Sequence, residues 1–168
     1  MLQRIKIING KIITPHRMIS GTIIVTGDKI SEVSERNIEV EDAITIDAKG
    51  NYVTPGFIDI HVHGGAGHDF MDGTEFAFLK IAELHAQYGT TSMMPTTLSS
   101  TKEALLKTLA SYESANKKNF NGSQLLGMHL EGPYFAMNQR GAQDPRFVRD
   151  PDPSEYEDIL SHSSIVKR

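Results

Sequence analysis

Short runs in which isoleucine or valine alternates with polar residues fill the first 50 residues: Arg4–Asn9, Lys11–Thr14, Thr22–Thr26, Lys29–Ser34 and Ala43–Asp47. Asn9-Gly10, Ser20-Gly21 and Gly27-Asp28 stand between them. Alternation with a period of two marks strands with one buried face, and Asn-Gly or Gly-Asp supplies the positive φ of a tight hairpin. Residues 1–50 are therefore predicted to be a small antiparallel β-domain, sandwich-like in organisation. The rhythm changes at Tyr52. An apolar strand that follows Pro55-Gly56 ends in His61-Val62-His63 and runs out through Gly64, Gly65 and Gly67. Side chains alternate along a strand, so Phe57, Asp59, His61 and His63 share one face while Ile58, Ile60 and Val62 share the other. The polar set is expected to point inward and the aliphatic set outward, against helices.

Helical and strand patterns then alternate. Asp72 and Glu75 have the spacing of a capping box, and Ala77, Ile81, Leu84 and Tyr88 line one face of the segment that ends at Gly89. Thr90–Thr97 reads as a strand. Ser100 with Glu103 predicts a second capped helix with Leu105, Leu109 and Tyr112 as its apolar stripe, and Lys117-Lys118 suit the negative end of its dipole. A strand over Gln124–Glu131 places Leu126, Met128 and Leu130 on one face and Gly127, His129 and Glu131 on the other, repeating the earlier pattern. Gly132–Pro151 is much longer than an ordinary strand-to-helix connection, a length associated with function or disorder. Asp152-Pro153-Ser154-Glu155 opens a helix to about Leu160, and Ser164–Arg168 begins a further strand.

This order implies an α/β fold with a parallel sheet and right-handed crossovers. Residues 51–168 read as the N-terminal portion of a (β/α)8 TIM-type barrel, comprising the first three βα units and the start of the fourth strand. A complete barrel takes about 250 residues. The chain is thus expected to be truncated, with an open sheet edge that aggregates or recruits a partner.

Composition narrows the chemistry. Of 168 residues, 39% are hydrophobic and 23% charged, the balance of a folded, water-soluble domain. No apolar run approaches the roughly 20 residues of a membrane span, and the start lacks the apolar core of a signal peptide. A cytoplasmic location is the expectation. The net charge of -4 and the lack of a basic run argue against nucleic acid as a partner. With no cysteine, a metal site has to be built from histidine and carboxylate. His61, His63 and Glu131, each at the end of a predicted strand, are the candidates. The other polar residues have plainer readings: His16 in a solvated turn, His85 packed in a helix, His68 and Asp69 in a solvated loop, Asp59 orienting its neighbour from one layer below. His129 suits packing or substrate contact equally, and Arg140 suits an anion or bare solvent.

Two stretches carry a family resemblance. Pro55-Gly56-Phe57-Ile58-Asp59-Ile60-His61-Val62-His63-Gly64 resembles the first barrel strand of the amidohydrolase superfamily. His129-Leu130-Glu131-Gly132-Pro133-Tyr134-Phe135, followed by Arg140-Gly141-Ala142-Gln143, is similar to a narrower family within it, the N-acetylglucosamine-6-phosphate deacetylases. The likeness runs along the whole chain and covers the first part of the family's length. It implies a metal-dependent hydrolase of amino-sugar catabolism that converts N-acetylglucosamine 6-phosphate to glucosamine 6-phosphate and acetate. By the same resemblance, Glu131 is the carboxylate metal ligand and His61 and His63 are a pair that binds an additional ion. One or two zinc or iron ions are implied per full-length chain. Ala142 and Gln143 lie where the family's loop touches the sugar, although many members have histidine at the second position.

The family's later histidine ligands and catalytic aspartate have no counterpart, so no catalytic residue is expected within this chain, and His162 is no substitute. The partners implied are the phosphorylated amino sugar and, at full length, a second copy in a homodimer. Such chemistry needs a metal to lower the pKa of water to about 7 and polarise the carbonyl, with an aspartate from a later strand moving the proton. The 168-residue chain alone is expected to be inactive. Two alternatives are a cyclic-amide hydrolase, which would call for a bridging carboxylated lysine on the fourth strand, and an inactive assembly module that takes up no metal.

Overall fold

A computed structural model describes residues 2–161 and 164–168. His162 lies outside the described residues. The chain divides into two compact units, Met1–Pro55 and Gly56–Arg168.

In the first unit, β1 (Arg4–Ile13), β2 (Met18–Thr26), β3 (Lys29–Ser34), β4 (Ala43–Asp47) and β5 (Tyr52–Val53) form one sheet in the order β3-β2-β1-β4, with β5 also on β1. The β1–β2 and β2–β3 pairs are antiparallel, whereas β4 and β5 run parallel to β1. The unit is therefore a mixed sheet among the described residues, which corrects the expectation of purely antiparallel pairing. Gly27-Asp28 does close a tight hairpin, with Thr26 opposite Lys29. Asn9-Gly10 does not: β1 continues through it, with Asn9 at φ 56 and a register shift between Ile7 and Gly10. Bulge and turn both need positive φ, so the same residues serve either. Ser20-Gly21 also lies inside a strand. Gly10 faces Gly21, and a Cβ on Gly21 would fall 1.9 Å from the Ser34 carbonyl oxygen.

In the second unit, β6 (Phe57–Val62) leads into the small antiparallel pair β7 (Gly64–Gly65) and β8 (His68–Asp69). Then come α1 (Glu75–Gln87), β9 (Thr90–Pro95), α2 (Lys102–Lys118), β10 (Gln124–Leu125) and α3 (Pro153–Leu160). The strands β10-β9-β6 are parallel neighbours. Helices α1 and α2 each bury an apolar stripe in the core beside the sheet. Phe78 and Ile81 of α1 and Leu105 and Leu109 of α2 join Phe70, Met93 and Met128 in one core. On α1 the buried face is Ala77, Phe78, Ile81 and Ala82, and Tyr88 is exposed.

Helix caps differ from expectation by a residue or two. Thr74 caps α1 by accepting from the Ala77 N–H, and Thr101 caps α2 by accepting from that of Ala104. Asp72 instead completes a capping box with Asp69 on a short 3-10 turn, Phe70–Asp72. Asp152 caps α3 as predicted.

Regular pairing on the third strand stops at Leu125, short of Glu131. Gly127, at φ 139, breaks the alternation, so Leu125 and Met128 both reach the core while Leu126 is exposed. Single parallel bridges continue the line, Thr96 with His129 and Met128 with Val166. The segment around Val166 thus joins the third strand as the fourth neighbour. On β6, Ile58 and Ile60 are 64% and 52% exposed, so no described helix covers the face expected to pack outward. Among the described residues no helix is long and apolar enough to cross a membrane.

Candidate metal centre

Parallel strands start together and end together, so side chains at their C-terminal ends meet in one place. His61 lies near the end of β6 and His63 just past it, and Glu131 follows the third strand two positions after His129. His61 Nε2 and His63 Nε2 each lie 3.1 Å from Glu131 Oε2, and 3.1 Å from one another. These are the one group of three or more histidines and acids among the described residues whose ligand atoms converge.

The triangle suits a cation better than a hydrogen-bond network. Glu131 Oε2 is buried and has no hydrogen-bond partner, although two imidazole nitrogens stand beside it. Three electron-pair donors crowded together are disfavoured unless a proton or a cation lies between them. Two ligands bound tetrahedrally to zinc at about 2.0–2.1 Å lie about 3.3 Å apart, close to the separation observed. Two nitrogens and one carboxylate oxygen are also a donor set that zinc and iron accept. His63 Nδ1 is buried without a partner, so the far side of that ring lacks the usual orienting acceptor among the described residues.

The surrounding residues separate into neighbours and bystanders. His129 is buried, edge-on to His61 with ring centroids 5.0 Å apart, beside the group rather than in it. Burial, followed by the charges of Arg168 and His61, holds it below the ordinary imidazole range against the pull of Glu131 and a bond to Ile60. Asp59 Oδ1 accepts from the backbone N–H of His61 at 3.0 Å, steadying the strand rather than the ring. His85 Nε2 lies 3.2 Å from the Gly64 carbonyl oxygen and ties α1 to the glycine loop. His68 pairs with Asp72 at 3.3 Å, and Asp69 serves as a cap. His16 is exposed. Arg140 donates to the Met137 carbonyl within its own turn.

Ala142 and Gln143 line a cleft with Met71, Leu98, Ser99 and Phe147. Gln143 is buried, and its Oε1 accepts the Ser99 N–H at 2.7 Å. That bond fixes which end of the amide is oxygen and leaves Nε2 as the donor still available. Sequence reasoning passed over Thr96 and Thr97, fully buried just beyond β9. The signal was there: two adjacent hydroxyls following Pro95 at the level where both ligand-bearing strands end.

The model of the amidohydrolase family matches residues 52–167, more than half of the chain. The chain belongs to the amidohydrolase family. This amidohydrolase is 32% identical over 165 residues to the N-acetylglucosamine-6-phosphate deacetylase of Haemophilus influenzae, covering 95% of this chain and 42% of that enzyme. It is 38% identical over 117 residues to the N-acetylgalactosamine-6-phosphate deacetylase of Escherichia coli O157:H7, covering 68% of this chain and 30% of that one. It also resembles the crystal structure of N-acetylglucosamine-6-phosphate deacetylase from Pasteurella multocida, with a TM-score of 0.86 and 28% identity, over 97% of this chain and 43% of that chain. The amidohydrolase thus spans well under half the length of these relatives.

Proposed function

We propose that this amidohydrolase is the N-terminal part of a divalent-metal deacetylase that removes acetate from N-acetylglucosamine 6-phosphate. The observation that carries the reading is the convergence of His61 Nε2, His63 Nε2 and Glu131 Oε2 at the ends of two strands flanking β9. Residues 51–168 are read as the first three βα units of a (β/α)8 barrel with the start of its fourth strand, following a β-domain of about the first 50 residues. The protein is read as cytoplasmic and, at full length, homodimeric. The extent of the likeness to sugar-phosphate deacetylases favours this over a cyclic-amide hydrolase. The epimeric N-acetylgalactosamine 6-phosphate is a second reading, supported by the 38% identical relative.

His61, His63 and Glu131 would hold one ion of zinc or iron, with a second ion completed by ligands outside this chain. When bound, the ion supplies an acidified water and a polarised carbonyl. The chain's own residues do the rest of what falls to them. The three ligands place the chemistry at the C-terminal face of the parallel strands, where barrel enzymes work. His129, whose imidazole burial pushes below its ordinary range, adds a ring beside His61 that can share a hydrogen bond. Ala142 and Gln143 border the cleft proposed for the sugar, where Gln143 Nε2 can donate to a hydroxyl. The proton-transferring aspartate is expected on a later strand, so the 168-residue chain alone is read as inactive.

Metal content measured together with intact mass tests the reading. Zinc or iron near one or two equivalents, lost on Glu131→Gln, together with acetate release from the sugar phosphate by the full-length enzyme, is the expected result. A wild-type protein that takes up neither metal would overturn it.

A further inference from the structure

The backbone ladder is weakest where the ligands sit. Between β6 and β9 the register shifts between Asp59 and Val62, and regular pairing of β10 with β9 covers only Gln124 and Leu125. Something other than the ladder has to set His61 and His63 against Glu131. At that level stand Thr96 and Thr97, with no exposed surface.

Each threonine bonds one ligand-bearing segment through both its backbone and its side chain, and Thr96 Oγ1 also lies 3.5 Å from His129 Nδ1 on the other segment. Thr96 N–H donates to the Val62 carbonyl at 2.8 Å, and Thr96 Oγ1 accepts the Val62 N–H at 3.1 Å. Val62 is the residue between the two histidines. Thr97 N–H donates to the His129 carbonyl at 2.9 Å, and Thr97 Oγ1 accepts the N–H of Glu131 itself at 3.1 Å. The Thr96 hydroxyl gives its own proton to the Met94 carbonyl at 3.1 Å, which turns a lone pair toward Val62.

We infer that Thr96 and Thr97 are positioning residues, a two-sided bracket at the end of β9 that fixes the separation of His61 and His63 from Glu131. The hydroxyls take the place of ladder carbonyls where the ladder lapses, one facing each neighbouring strand. The assignment rests on the metal reading above and concerns two residues that touch no ligand atom of the triangle. If they only satisfied two buried amides, their loss would lower stability and leave metal affinity alone.

The test uses the whole chain with Thr96→Val, Thr97→Val, Thr96→Ser, Thr97→Ser and, as control, Thr108→Val. Thr108 is also fully buried, on α2, with a hydroxyl that has no partner. Cobalt(II) alone is titrated and its visible absorption recorded, and amide exchange is followed at Val62 and Glu131. The valine variants are expected to bind cobalt about 10- to 100-fold more weakly with an altered spectrum, the serine variants within about threefold of wild type, and Thr108→Val like wild type. Valine variants with wild-type affinity and spectrum, or serine variants as weak as the valine ones, would overturn the bracket. If wild type binds no cobalt, the metal reading falls and the bracket that rests on it falls too. Unchanged exchange at Val62 in Thr96→Val or at Glu131 in Thr97→Val would also overturn the bracket, because the bonds to the two ligand-bearing segments would then not be held by these hydroxyls.

Discussion

Replacing Gln143 should release the long loop where its amide meets Ser99. The side chain is 6% exposed and its Oε1 takes the Ser99 N–H at 2.7 Å. Gln143→Met keeps the length and removes the acceptor, so the cost is that of an unpaired buried N–H, about 1–3 kcal/mol. Gln143→Ala adds lost packing to the same penalty. With a urea m-value of about 2 kcal/mol/M, a loss of about 2 kcal/mol moves the unfolding midpoint by about 1 M. Equilibrium urea unfolding gives the global number, and amide exchange at Ser99 tells whether the loop has opened locally instead. Both variants should lose protection at Ser99, with the alanine variant the less stable of the two. Wild-type exchange at Ser99 in both would show that the bond does not hold the loop, and the cleft beside Ala142 would then need another explanation.

Three other perturbations probe the scaffold around the site. Phe78 is fully buried between Phe70 and Tyr112, at centroid distances of 4.8 and 6.1 Å. Phe78→Ala should cost about 3–5 kcal/mol by urea unfolding, and a loss below about 1 kcal/mol would contradict the packing. Gly127→Ala puts a Cβ 2.3 Å from Lys167 Cγ and 2.9 Å from the Ile165 carbonyl oxygen at φ 139. A loss of about 1–3 kcal/mol and faster exchange of the Lys167 amide are expected, and an unchanged melting temperature would be the contrary result. Arg149 donates to Glu155 through Nε at 2.9 Å, and this bond above all holds the Glu155 carboxyl below its ordinary 4.5. A depressed folded-state value contributes stability above the unfolded-state value and loses it as pH falls through the folded one. Arg149→Met should therefore destabilise the protein more at about pH 7 than at about pH 3. Equal losses at both would show that the pair contributes packing rather than charge.

The metal candidates were legible because strand alternation is a strict rule. Once His61 and His63 fall two apart on one strand and Glu131 ends another, parallel pairing brings them to one level. Other features turned on choices that neighbouring residues settle. Asn9-Gly10 carries the chemistry of a hairpin, but β4 and β5 line up beside β1 and need it continuous, so the same positive φ becomes a bulge. Ser100 and Thr101, or Asp72 and Thr74, can each cap a helix, and the chain's path into the helix selects between them. The role of Gln143 was hidden for a different reason. Its partner Ser99 is a backbone group on another loop, and sequence pattern carries no trace of a contact made by an amide. Thr96 and Thr97 were missed because a threonine in a strand is ordinary until its hydroxyl is found where a ladder carbonyl should be.

In the first unit every strand but β3 pairs directly with β1, which takes β2 along one edge and β4 and β5 along the other. Removal of β1 would keep every residue of the candidate metal centre and lose the strand to which β2, β4 and β5 attach. What remained would be a β2–β3 hairpin, marginal by itself in water, and two short strands with nothing to hold them. One strand of ten residues thus decides whether this sheet exists at all, while the residues that identify the family, 52–167, lie wholly outside it.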